Sequence, residues 1–229
     1  MKDVKRDILD KITPEIRKEM ESIWFTADLH AQHPKIVDIC NRPVYLTPTQ
    51  LIDVKQKDVS DPVYKNFINI AHDEWLIKEV INKYVKNKDT LFILGDVTMA
   101  NKIASDKFLD RLNGNKRLIS GNHDKNINHS TRFAEITQIK DFTFSRKESA
   151  INIHIVLCHY KMVSWNRKIH GSWMLHGHDH CRNNFNTGLS FDVGIDKIGI
   201  WRPYNLYEIC QIMYQKSIGI EEDKILKSL

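Results

Sequence analysis

The sequence predicts an α/β fold, a four-layer αββα sandwich in which two mixed β-sheets are flanked by helices. Three observations lead there. The first half alternates short apolar runs of strand length with stretches of helical periodicity. The second half is mostly strands. The early strands end in polar clusters, several containing glycine, which is where open α/β sheets bind ligands. The 229 residues, 41% hydrophobic and 28% charged, are enough for one such domain with a full core and exclude wholesale disorder.

Residues 1–21 mix Lys, Arg, Asp and Glu with scattered Ile and Leu, and read as a charged helical extension rather than a signal peptide. Residues 22–229 then form a single domain. Its first strand, 22–26, ends in Ala27-Asp28-Leu29-His30. Residues 31–66 hold Pro34, Pro43, Pro48 and Pro62, and read as a loop-rich insertion near that strand end, with a short helix or two. Asp73 is placed to cap a helix whose Ile77, Val80, Ile81 and Tyr84 follow helical spacing. The apolar run 90–94 ends in Gly95-Asp96, and a helix over 101–112 stops at Asn113-Gly114. Strand 117–120 ends in Gly121-Asn122-His123-Asp124. Phe142 and Phe144 mark a half-buried strand, 151–158 a strong one ending at His159, and 172–175 one ending in His176-Gly177-His178-Asp179-His180. Segments 189–193 and 207–213 complete the predicted β content.

Composition narrows the function. The formal charge of +5 mildly favours anionic partners, but there is no basic block of the kind a dedicated nucleic-acid binder carries. Four widely spaced cysteines without a Cys-x-x-Cys argue against a disulfide framework or a thiolate zinc cluster, and predict a cytoplasmic protein. No apolar run approaches the roughly 20 residues of a membrane span, so no membrane partner is expected. Histidine stands out: there are eleven, five of them between His159 and His180. The strand-end clusters Asp28-x-His30, Gly95-Asp96, Gly121-Asn122-His123-Asp124, His159 and Gly177-His178-x-His180 bring together carboxylate, imidazole and amide donors without thiolate. Such a set suits Mn, Fe, Zn, Ni or Co better than a structural zinc site. In an extended backbone, residues i and i+2 face the same way, so Asp28 with His30, and His178 with His180, would each grip one ion. Asp179 reads as a spacer.

In this order the motifs resemble those of the calcineurin-like metallophosphoesterases. More narrowly the chain is similar to their small bacterial and phage branch of predicted phosphoesterases. The narrower match includes Asn41-Arg42-Pro43, Leu112-Asn113-Gly114, His159-Tyr160 and Val193-Gly194-Ile195-Asp196. The resemblance covers roughly residues 22–213 and implies the metallophosphoesterase form of the αββα sandwich. It implies two divalent ions, with Mn favoured and Fe, Zn, Ni, Co or Mg admitted. Asp28, His30 and His180 would hold one ion, Asn122, His159 and His178 the other, and Asp96 would bridge them. A hydroxide bridging the ions would attack a phosphodiester or phosphomonoester. His123 would act as the catalytic imidazole, oriented by Asp124. Arg42 and His33 are candidate substrate contacts, and His176 a candidate support behind the ligands. The expected substrate is small and phosphorylated or nucleotide-like. A metal-dependent nuclease acting on DNA or RNA is the alternative, drawing on Arg111, Lys116 and Arg117 near the third strand. A non-enzymatic scaffold ranks last, because no ligand is missing from the set. The oligomeric state is left open.

Overall fold

Trp24 and Phe25 are adjacent in sequence but face opposite sides of one sheet, and that alternation sets the layering of the molecule. The structure, a computed structural model, describes residues 6–43, 61–182, 187–197 and 200–227. Most of the predicted insertion, 44–60 with Pro48, therefore lies outside the described residues.

Two short helices, α1 (Arg6–Leu9) and α2 (Pro14–Met20), precede strand β1 (Ile23–Thr26). Helix α3 (Pro34–Ile39) and helix α4 (Pro62–Trp75) follow, the latter running into a wide π-helical turn, Leu76–Ile81. Next come β2 (Thr90–Ile93), α5 (Lys102–Asp110), β3 (Asn115–Ile119) and β4 (Glu135–Thr137). The second half supplies β5 (Ile139–Arg146), β6 (Ile151–Cys158), β7 (Trp173–His176), β8 (Ser190–Asp192) and β9 (Tyr204–Asn205). Helices α6 (Leu206–Ser217) and α7 (Glu222–Leu226) close the chain.

The strands form two mixed sheets. One has the order β4-β3-β2-β1-β9 with only β9 antiparallel, and the other the order β5-β6-β7-β8 with only β5 antiparallel. Their inner faces pack on each other through Phe25, Phe92, Ile119, Ile155, Leu175 and Phe191. Phe25 and Phe92 stack with ring centroids 5.3 Å apart. The outer face of the first sheet, with Trp24, Leu91, Ile93 and Leu118, is covered by the π turn and α5. The outer face of the second sheet carries Val156, Cys158 and Met174, and is covered by Trp165 and Met162 from the loop after β6. The expected fourth, helical layer is thus replaced there, among the described residues, by a loop.

Three sequence expectations need correction. Segment 207–213 is helix, not strand: Asn205 and Glu208 form a reciprocal capping box, and Leu206, Ile209, Cys210 and Met213 recur at helical spacing on the core side. Asp73 caps nothing. The helix starts at Pro62, capped by Asp61, and Asp73 lies inside it with its carboxylate accepting the Gln32 N–H at 3.0 Å. The lead-in helices are not separate from the domain either, because Met20 is fully buried in the inter-sheet core and Ile8, Leu9, Ile12 and Ile16 pack against it.

Candidate metal centre

Strands β1, β2 and β3 are parallel and in register, with Thr26 opposite Ile93 and Ile93 opposite Leu118, so their carboxyl ends lie side by side. Beyond those ends the loops stay stitched together: Asp28 N–H donates to Gly95 O, His30 N–H to Asp96 O and Gly177 N–H to His159 O. Ala27 bridges Gly194, which joins the edge of one sheet to the other. The side chains that follow β1 and β2 therefore meet those that follow β6 and β7.

The backbone does this in an unexpected way. Asp28, His30, Asp96, His178 and His180 all have positive φ, between 48° and 72°. The extended geometry predicted for Asp28-x-His30 and His178-x-His180 is therefore not what pairs them; left-handed turns are. Non-glycine residues pay of order 1–3 kcal/mol for such φ, and this kind of strain clusters at functional sites.

Two groups of donors result, each with one ligand atom per residue and all atoms within 4.8 Å of one another: Asp28, His30 and His180, and Asp96, His159 and His178. Each group draws on both sheets. Asp96 stands between them, its Oδ2 3.6 Å from His30 Nε2 and 3.5 Å from His159 Nε2. Asn122 joins the second group, its Oδ1 3.1 Å from His159 Nε2. A third cluster, Cys40, His180 and Asp196, is a poorer cradle because Asp196 is already paired with Arg42.

The chemistry of the donors fits divalent cations. His30 is buried with both ring nitrogens lacking a hydrogen-bond partner, and burial pushes its pKa down to about 3, so it stands as a neutral donor with an open lone pair. Burial, reinforced by the charge of Asp192, raises Asp28 to about 8, the behaviour of a carboxylate in want of a cation. Burial also works against the Asp96 charge, but the bond from His159 and the His123 N–H hold that carboxyl down at about 2. His159 gives Nδ1 to the Leu94 carbonyl at 2.8 Å, and His180 gives Nδ1 to Asp196 at 2.6 Å, which leaves Nε2 of each for an ion.

These protonation states carry a sign. Burial opposes charge on His180, yet its bond to Asp196 raises it to about 10. Asp28 and His180 thus keep protons that an unfolded chain gives up near 3.8 and 6.5. These two groups take up protons on folding of the metal-free chain between pH 6.5 and about 8, so the stability they contribute is lost as pH rises through that window. A divalent ion replaces those protons, so metal binding strengthens with pH. Across this window the gain in Tm that saturating Mn2+ gives over chelator should grow with pH. Parallel falls under both conditions would refute the assignment of Asp28 and His180 as ligands.

Two predicted roles change. Arg42 is not a substrate clamp. It is buried, and its guanidinium is spent inside the protein: Nε and Nη2 grip both oxygens of Asp196 at 2.8 Å, Nη2 also reaches Asp28 O at 2.7 Å, and Nη1 reaches Leu29 O at 2.7 Å and His72 Nε2 at 3.0 Å. It braces the loop that carries Asp28 and, through Asp196, the ring of His180. Asp124 does not orient the His123 ring. Its buried carboxylate accepts the N–H groups of Asp96, Val97 and Gly121 at 2.8–2.9 Å and so ties the β2 and β3 loops together. His123 itself is 40% exposed, with Nε2 3.9 Å from Asp96 Oδ2 and its N–H donating to Asp96 Oδ1. Gly95, at φ +85°, leaves room for the His159 ring where any Cβ would overlap Nδ1.

His33 caps the start of α3 by position and turns its ring edge-on to His30 at 5.6 Å, beside the first group. His176 is buried at the end of β7 with Nδ1 against the Gly177 carbonyl at 3.2 Å, so it supports the turn before His178. Asp196 and Asp192 are the residues whose roles sequence reasoning missed. Asp192 accepts the N–H groups of Gly194 and Cys181 and lies near Asp28. The basic residues proposed for polynucleotides are engaged elsewhere: Arg111 with Glu74, Arg117 with Glu135, and Lys116 with the Leu112 and Gly114 carbonyls. Lys116 and Arg117 also sit towards the start of β3, away from the end that leads to Asn122 and His123. All four cysteines are free thiols, and no described helix is long and apolar enough to cross a membrane.

No family model matches the chain. It is 25% identical over 166 residues to the uncharacterized protein MJ1445 of Methanocaldococcus jannaschii, covering 72% of each chain. It is also 25% identical over 206 residues to the gene 66 protein of Mycobacterium phage D29, covering 77% of this chain and 89% of the phage protein. Among solved structures, the protein of unknown function AQ665 from Aquifex aeolicus aligns with a TM-score of 0.49 and 19% identity, over 82% of this chain and 96% of that one.

Proposed function

We propose that the chain is a dinuclear metal-dependent phosphoesterase of the calcineurin-like class, hydrolysing small phosphodiesters or phosphomonoesters. The observation that carries this reading is the shared carboxylate of Asp96, whose Oδ2 lies within 3.6 Å of an imidazole nitrogen from each donor group. Asp28, His30 and His180 would hold one divalent ion, and Asn122, His159 and His178 the other. Such a pair, when bound, supplies Lewis acidity to the phosphoryl oxygens and offsets the charge that builds there.

The chain's own contribution is placement and a proton. Hydrolysis forms one P–O bond to water oxygen and breaks the ester P–O bond, and the departing oxygen must gain a proton. His123 would give it: its side chain is 40% exposed with Nε2 3.9 Å from Asp96 Oδ2, and its backbone N–H donates to Asp96 Oδ1 at 3.0 Å. Asp124 fixes the backbone on which both stand. With the nearby basic residues paired elsewhere, the anion would be drawn by the centre itself rather than by a surface track, which favours small substrates over polynucleotides.

The reading predicts that Mn2+-loaded protein hydrolyses bis-p-nitrophenyl phosphate or p-nitrophenyl phosphate, that chelator abolishes the activity, and that His123→Ala lowers kcat by about 100-fold or more. Absence of turnover with Mn2+, Fe2+, Zn2+, Ni2+ or Co2+ would reject it.

A further inference from the structure

Beside the second donor group lies a cavity of about 250 Å3, lined among others by Tyr160, Met162, Val163, His178 and Asp179. Tyr160 is the lining residue that reaches the proposed ligands. Its ring sets edge contacts with His159 and His178, centroids 5.0 and 4.8 Å apart, and its hydroxyl lies 3.4 Å from Asn122 Oδ1. One tyrosine thus touches all three residues proposed for the second ion, yet it remains 46% exposed. Val163, further out on the same loop, is 70% exposed.

We propose that this cavity is the subsite for a nucleoside, so that the substrates are phosphate esters of single nucleosides; the inference rests on the phosphoesterase reading above and assigns its substrate class. Three properties point the same way. The Tyr160 face, with Met162 and Val163, is a platform for one flat ring, the way unpaired bases bind aromatic side chains. Asp179, also on the wall, accepts no hydrogen bond from another described side chain, and a carboxylate there takes hydrogen bonds from sugar hydroxyls while repelling a phosphate. The volume, about 250 Å3, is of the order of one nucleoside. The phosphate would then point past Tyr160 towards His178 and His159, where the ions are proposed.

Calorimetry on the Mn2+-loaded full chain, with AMP, UMP and methyl phosphate as probes, tests this. Both nucleotides should bind at least about tenfold more tightly than methyl phosphate, the scale of one stacked base. Tyr160→Phe should keep that ratio, and Val163→Asp, a change at an exposed position that the fold tolerates, should reduce it to about twofold or less. Equal affinities for AMP and methyl phosphate overturn the subsite. Turnover of bis-p-nitrophenyl phosphate with equal affinities overturns the subsite alone and keeps the phosphoesterase reading. Tight nucleotide binding without any turnover keeps the subsite and removes the enzymatic reading.

Discussion

Asp96→Asn should lower Mn2+-dependent hydrolysis of bis-p-nitrophenyl phosphate by more than about 100-fold, and the bound metal should fall to one ion or fewer. Loss of partners one shell further from a metal already costs about 10- to 100-fold, and Asp96 is closer than that. The substitution is nearly isosteric, and the two carboxylate oxygens do different things. Oδ1 accepts the His123 N–H at 3.0 Å, so an asparagine keeps that bond by placing its carbonyl oxygen there. Its NH2 group then faces His30 Nε2 and His159 Nε2, where Oδ2 stood. The loop is preserved while the shared anion becomes a neutral donor. Metal analysis of the purified variant alongside its circular dichroism separates this from misfolding. Wild-type metal content and turnover would sink the bridging role.

Arg42→Met should destabilise the metal-free protein by about 3–5 kcal/mol, the usual cost of stranding one partner of a buried ion pair. The side chains of Arg42 and Asp196 are essentially inaccessible to solvent, so little water would reach the orphaned carboxylate. The carbonyls of Asp28 and Leu29 would lose their donors as well. Arg42→Lys should recover little of this, because a single ammonium with three protons cannot span a carboxylate, two carbonyls and an imidazole. Urea unfolding in chelator measures the loss, and a cost below about 1 kcal/mol would remove Arg42 from its bracing role. The same variants should bind metal more weakly, since His180 depends on Asp196 and Asp28 stands on a carbonyl that Arg42 holds.

Much of the donor set was legible because donors follow strands directly: each candidate lies within a few residues of an apolar run, and parallel strands in register bring such ends together. What supports the donors was not legible. The Arg42–Asp196 pair spans 154 residues, and no local pattern announces which lone loop arginine will be buried. Asp124 was assigned to the neighbouring imidazole, whereas its carboxylate bonds three backbone amides, a choice fixed by how closely the loops pack. The left-handed backbone at Asp28, His30, Asp96, His178 and His180 is one that Asp and His enter more often than other side chains, but residue type alone does not say which of them will adopt it. Helix α6 was misread for a different reason. Tyr207, Ile209 and Cys210 favour a strand, while the helix is signalled by Asn205 just before it together with Glu208 in its first turn.

Each donor group takes side chains from both sheets, Asp28 and His30 with His180, and Asp96 with His159 and His178. That arrangement has a kinetic side. Between the sheets the donors are far apart in sequence, Asp28 lying 152 residues before His180 and Asp96 63 before His159, so neither group exists until both sheets have formed and docked. An ion held there stabilises the finished sandwich far more than the transition state leading to it. Metal should therefore leave the refolding rate nearly unchanged and slow unfolding instead, lengthening the life of the folded chain against heat and proteases.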